Sequence, residues 1–191
     1  NESGGNLGND WENSPHPENG ETWLSGPGPL GVESSSLTNA IATPLSPLDS
    51  RNPRTITFYF ETDFEVNEQQ ERDTTQLELS HQIDDGAIFY LNGIEIDRYQ
   101  VDDEPISSSS TSSDTVGNAT VITTILPSSA LTALRQGTNR LSVEVHQTSA
   151  SSSDIVMGLQ LVASQEGLPL RRSSDQWIEL YNKGTEDLSL G

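Results

Sequence analysis

Cysteine is absent from this 191-residue chain, so neither a disulfide frame nor a thiolate metal site is available to it. A small domain stapled by cross-links is thereby excluded. Lysine occurs once, at Lys183, and nine basic residues in all stand against 29 acidic ones. The formal charge of −20 repels nucleic acid and anionic lipid, which argues against both as partners. No run of about 18 apolar residues occurs, so no membrane insertion is expected. Aromatic residues are few (three Trp, four Tyr, four Phe), which limits the flat faces on offer to a ligand. Signatures of catalysis are missing as well. There is no Gly-x-Ser-x-Gly elbow, no close pair of His or Cys ligands and no phosphate-cradling loop. Acid pairs such as Asp102-Asp103 follow from the abundance of surface acids. The chain is expected not to be an enzyme.

What is present is a patterned middle. Apolar residues make up only 31% of the chain but gather in alternating blocks between residues 55 and 162, the mark of one core wrapped in polar loops. Ile56, Phe58, Phe60, Phe64 and Val66 share one face of a strand, opposite Thr57, Tyr59, Glu61 and Glu65. Leu77, Leu79 and Ile83 repeat the period, with His81 in the same register. Ala87–Leu91 and Ile94–Ile96 flank Asn92-Gly93, a strong hairpin signal because both residues tolerate positive φ. Val121–Leu126, Leu141–Val145 and Ile155–Val162 supply further strands. Residues 127–134 read as a short helical turn, and the Ser/Thr-rich stretch 107–115 as a flexible loop with no part in the core. The expected core is Ile56, Phe58, Phe60, Leu77, Leu79, Ile83, Leu91, Val121, Ile125, Leu141, Val143, Val145, Ile155 and Leu159.

Four regions follow. Residues 1–54 form an irregular Gly-, Pro- and Asn-rich segment that packs on a sheet, residues 55–163 the core sandwich, residues 164–174 a linker, and residues 175–191 a partial hairpin. The fold class is all-β, an antiparallel jelly-roll-like β-sandwich with one short helical turn and a C-terminal β-hairpin.

Residues 84–98, Asp84-Asp-Gly-Ala-Ile-Phe-Tyr-Leu-Asn-Gly-Ile-Glu-Ile-Asp-Arg98, resemble a motif of galactose-binding-like sandwiches. The likeness continues through Trp23-x-x-Gly-x-Gly-Pro-Leu-Gly31, Leu134–Gln147 and Ser152-Ser-Asp-Ile155, about residues 20–163 in all, and the order of the blocks makes it specific. It is similar to carbohydrate-binding modules of large secreted bacterial proteins. Residues 175–191 resemble the opening hairpin of a lamin-tail-type domain, without the strands that complete one. The resemblance implies a non-catalytic, secreted or cell-surface module that binds polysaccharide or another glycan. With its start at Asn1, the chain reads as a mature or excised piece of a longer exported precursor.

Candidate sites are of three kinds. For a sugar, Trp11 in a polar loop and Tyr99 beside Arg98 at a strand end are the expected exposed aromatics. For a hard cation, Asp84, Asp85 and Asp154 offer carboxylates to calcium, while the same aspartates also suit a tight turn in which they accept backbone hydrogen bonds. A structural calcium, frequent in the resembled class, favours Asp154. For assembly, Trp177, Ile178, Leu180 and Tyr181 form the apolar face of a hairpin that is marginal alone and leaves open edges. This motivates a rival function: a structural subunit of an extracellular filament, joined to copies of itself by strand addition. His81 and His146 read as structural histidines, and His16 carries no signal.

Overall fold

A computed structural model describes residues 7, 10–14, 16, 23–46, 55–165 and 180–182, the last three by backbone alone. Its strands are β1 (Leu30–Val32), β2 (Thr43–Pro44), β3 (Thr57–Val66), β4 (Gln76–Asp84), β5 (Gly86–Leu91), β6 (Ile94–Tyr99), β7 (Ile122–Ile125), β8 (Gly137–His146), β9 (Ile155–Ser164) and β10 (Leu180–Asn182). One sheet runs β2-β1-β9-β4-β7, with β10 also on β9; the other runs β3-β8-β5-β6. The protein is an all-β sandwich. Its pairs are antiparallel except for the short β1–β2 and β9–β10 contacts.

Period-two alternation explains the core. Phe58, Phe60 and Phe64 of β3, Val143 and Val145 of β8, and Ala87, Phe89 and Leu91 of β5 point inward from the four-stranded sheet. Leu77, Leu79 and Ile83 of β4 and Ile155, Met157, Leu159 and Leu161 of β9 meet them from the other sheet. The Asn92-Gly93 hairpin forms as expected, with φ of 52° and 78°. Residues Ser128–Ala133 make the expected short turn, a 3₁₀ helix whose Ala130 and Ala133 seal one end of the core.

Several expectations are corrected. Ile125 is 62% exposed. It lies opposite Glu78, on the outer face of the sheet, and Leu126 enters the core in its place. Ile56 and Val121 are only half-buried. The Ser/Thr-rich stretch is not free of the interior, since Ser110 and Ser112 are buried and tied to Gln100, Asp114, His146 and Gln147. Two strands of the larger sheet, β1 and β2, arise from the segment expected to be irregular. Gly31 makes this possible, because a Cβ there would run into the Ile155 carbonyl of β9. A helix that alternation did not reveal, α1 (Glu68–Asp73), starts at a capping box in which Asn67 accepts from the Gln70 N–H and the Gln70 side chain accepts from Asn67.

The assembly residues divide. Leu180 and Tyr181 lie in β10, whose backbone pairs in parallel with Leu161–Ala163. Of the linker expected at 164–174, Ser164 instead ends β9; its residues 166–174, with Trp177, Ile178 and the second half of the hairpin, lie outside the described residues.

Candidate functional site

Two constellations emerge, one on the outside of each sheet. The first covers the outer face of the four-stranded sheet. In-register pairing sets Tyr59 of β3 beside Glu144 of β8 and Ile88 of β5, and Glu61 beside Ser142 and Tyr90. These are the alternates of the core residues, so they should face water. Tyr59 is nonetheless 2% exposed and Glu144 3%. What covers them comes from the N-terminal segment. The Trp11 ring stands edge-on to Tyr59 at 4.7 Å and to Tyr90 at 6.1 Å, and Leu7 and Trp23 complete the cluster. The Ser142 hydroxyl donates to the Glu12 carbonyl at 2.8 Å. His16 donates its backbone N–H to Glu61, holds its ring Nδ1 2.8 Å from the same carboxylate, and stacks on Trp23 at 4.6 Å.

Polar groups sit among these rings. The Tyr90 hydroxyl donates to Glu144 Oε1 at 2.6 Å, and burial followed by the charge of Glu144 pushes the phenol's pKa upward. His146 Nδ1 lies 2.8 Å from the Ser110 carbonyl, while its Nε2 faces Glu144 Oε2 at 3.5 Å. Arg140 forms a two-pronged pair with Asp63 at the rim. Flat aromatic faces with carboxylate, hydroxyl and imidazole groups at their edges are the elements of a site for a polyhydroxylated ring.

Of the residues expected to bind sugar, only Trp11 belongs here, and it is 6% exposed rather than displayed. Its ring is engaged edge-on with Tyr59 and Tyr90. Tyr99 pairs with Ala87 on the inner side of the sheet and packs against the core, its ring 4.9 Å from His81. Arg98 is held by Glu95 through two bonds, by Glu104, and by the carbonyls of Val101 and Asp103. The structure does not bring Arg98 and Tyr99 together with Trp11. Tyr59, Tyr90 and Glu144 were not singled out from the sequence. The available signal was aromatic residues in the solvent register of two strands.

The second constellation lies where β1, β9 and β4 end side by side. Glu33 follows β1, Asp154 precedes β9 and Asp84 closes β4, and an oxygen from each lies within 4.8 Å of the others. Asp84 is 1% exposed, and its Oδ2 and the Oε2 of Glu33 have no hydrogen-bond partner among the described residues. Burial foremost, then the proximity of Asp85, Asp154 and Glu33, pushes the Asp84 carboxyl up to about 9. Asp154 is raised too, by burial and then by Glu33 and Asp85. Orphaned buried oxygens crowded against like charges fit a hard cation such as calcium, which takes carboxylate oxygens and completes its shell with carbonyls and waters. Asp85, expected to join this set, is engaged elsewhere. One oxygen accepts from the Val116 N–H and the other from the N–H and hydroxyl of Thr148, which pins two loops. That is the turn-anchoring role. Glu33 takes its place in the cluster; nothing in its local sequence marked it out.

No family model matches the chain, and no curated protein matches it. Among solved structures it is similar to a β-D-mannosidase from Dictyoglomus thermophilum, at 16% identity and a TM-score of 0.31, over 47% of this chain and 9% of that one. An α-L-rhamnosidase from Streptomyces avermitilis gives 16% identity and a TM-score of 0.37, over 59% of this chain and 9% of that one. A β-glucuronidase from an uncultured Clostridium gives 23% identity and a TM-score of 0.31, over 47% and 12%. The chain thus spans about a tenth of the length of each.

Proposed function

We propose that this protein is a non-catalytic carbohydrate-binding β-sandwich of a secreted or cell-surface protein, with its sugar platform on the outer face of the four-stranded sheet. The observation that carries the reading is the grouping of Tyr59, Tyr90, Glu144 and Ser142 on that face, outside the core register. Aromatic rings offer dispersion contacts to the C–H face of a pyranose, and the acid and hydroxyl groups accept or donate at its rim. The acidic lining, Glu144 and Glu61 within a chain of charge −20, suits neutral sugars better than uronates. Calcium, held by Glu33, Asp84 and Asp154, serves the module as a structural ion that ties three strand ends together.

The test is a glycan microarray followed by titration calorimetry on the best neutral oligosaccharide. Tyr90→Ala and Glu144→Gln are each expected to weaken binding at least about tenfold, the worth of one good contact of about 1.4 kcal/mol. Retention of full affinity by both variants would move the site elsewhere, and a protein that recognises no glycan would end the reading.

A further inference from the structure

The platform is covered by the protein's own chain. Trp11 lies between the two tyrosines on which a sugar ring would stack. The simplest account of such a cover is that it keeps water from apolar surface. The groups beneath it do not fit that account. Glu144 is 3% exposed and His146 fully buried, and among the described residues no Lys or Arg side chain pairs with the carboxylate. Because the Ser110 carbonyl only accepts, the proton on His146 Nδ1 is directed toward it, which leaves Nε2 as the ring nitrogen on the Glu144 side. That Nε2 has no hydrogen-bond partner among the described residues and faces Glu144 Oε2 at 3.5 Å. The described residues of the covering segment leave this buried nitrogen unsatisfied.

The covering segment also carries a repulsion of its own. Glu12 follows Trp11, and its carboxyl is pushed above the usual range by burial first, then by Asp10 and Glu144. Among the described residues its polar attachments to the sheet are the Ser142–Glu12 bond and the two contacts of His16 with Glu61. Hydroxyl groups of a sugar both donate and accept, so they serve a carboxylate and an unsatisfied ring nitrogen in either protonation state, which no described residue of the covering segment does for His146 Nε2. A uronate would instead add a further negative charge.

We propose that Asp10–Ser14 and His16 form a self-occluding strap, in which Trp11 occupies the place of a neutral pyranose ring and must leave before the sugar binds. The proposal rests on the carbohydrate-binding reading above. It predicts a ligand affinity reduced by the fraction of molecules whose strap is closed. Releasing the strap raises the affinity and fixing it lowers it.

Both arms can be built in the full chain. Trp11→Ser removes the plug and leaves Tyr59, Tyr90 and Glu144 in place. For the lock, a Cβ built on Gly93 lies 2.9 Å from the Cβ of Asn13, near the ~3.5–4.5 Å of a disulfide; the positive φ of Gly93 strains a Cys there in the oxidised and reduced forms alike, so the lock is compared with its own reduced form. With no other cysteine in the chain, Asn13→Cys with Gly93→Cys makes a single cross-link, and the same protein after reduction is its control. The probes are cellohexaose, mannohexaose and a neutral galactan, read by calorimetry. The expected result is binding at least about tenfold tighter for Trp11→Ser than for the parent, and at least tenfold weaker for the oxidised lock than for its reduced form. Equal binding across these four proteins would overturn the strap while leaving the carbohydrate reading intact. No binding by any of them, the released variant included, would overturn both.

Discussion

Replacing His81 by leucine isolates one buried titration. His81 sits on the inward register of β4, 2% exposed, its ring against Phe89 and Tyr99. Its Nδ1 has no hydrogen-bond partner among the described residues. Burial lowers its pKa from 6.5 to about 4. Above pH 6.5 the imidazole is neutral in both folded and unfolded chains and adds no pH dependence. Between 6.5 and 4 the unfolded chain takes up a proton that the folded chain refuses, so stability is lost as pH falls. At about 1.4 kcal/mol per unit, the full interval is worth about 3 kcal/mol. Asp84 acts in the opposite direction, since its raised pKa leaves the folded chain holding the extra proton. Absolute pH curves therefore mix the two. The difference between parent and His81→Leu does not, because Asp84 is common to both. Urea unfolding of the two proteins at pH 7, 5.5 and 4.5 in the presence of chelator gives that difference. It is expected to shift by about 2–3 kcal/mol against the parent from pH 7 to 4.5, whatever its value at pH 7, which packing sets. Parallel stability curves would show that His81 is not a buried neutral imidazole, and the reasoning from burial would fail with them.

Phe58, fully buried between the sheets, is expected to cost about 3–5 kcal/mol on truncation to alanine, read as a fall in the urea midpoint at unchanged slope. Calcium at 100 times its dissociation constant is expected to add about 2.7 kcal/mol of stability, and Asp84→Asn with Glu33→Gln to abolish that gain; identical melting in calcium and in chelator would remove the ion from the account. Asp85→Ala breaks three hydrogen bonds that pin the 112–116 and 147–150 loops, so a loss of about 2–4 kcal/mol is expected without any loss of the calcium response. An equal loss of that response would place Asp85 among the ligands after all.

The sequence by itself determined the central strands of both sheets. Alternation in β3, β4, β8 and β9 is a property of neighbouring residues, and a strand with one apolar face has one register that buries it. The Asn92-Gly93 hairpin and the turn at Ser128–Ala133 were legible for the same reason, because their backbone demands are met by residues adjacent in the chain. Weak alternation in β7 was not enough, and Ile125 turned outward when its partner strand set the face. The site was only partly legible. Asp84 and Asp154 were visible as strand-end acids, but that Glu33 meets them, and that Asp85 turns instead to Val116 and Thr148, depends on three strand ends becoming neighbours. Tyr59 and Tyr90, polar-face residues by period, are covered, the first buried and the second half-buried, because Trp11 folds back over them from 48 residues upstream of Tyr59, and loop-closure entropy grows only slowly with such a length. Local periodicity decides which face of a strand is apolar. What lies against the other face is decided by contacts between distant parts of the chain, and no local pattern records those.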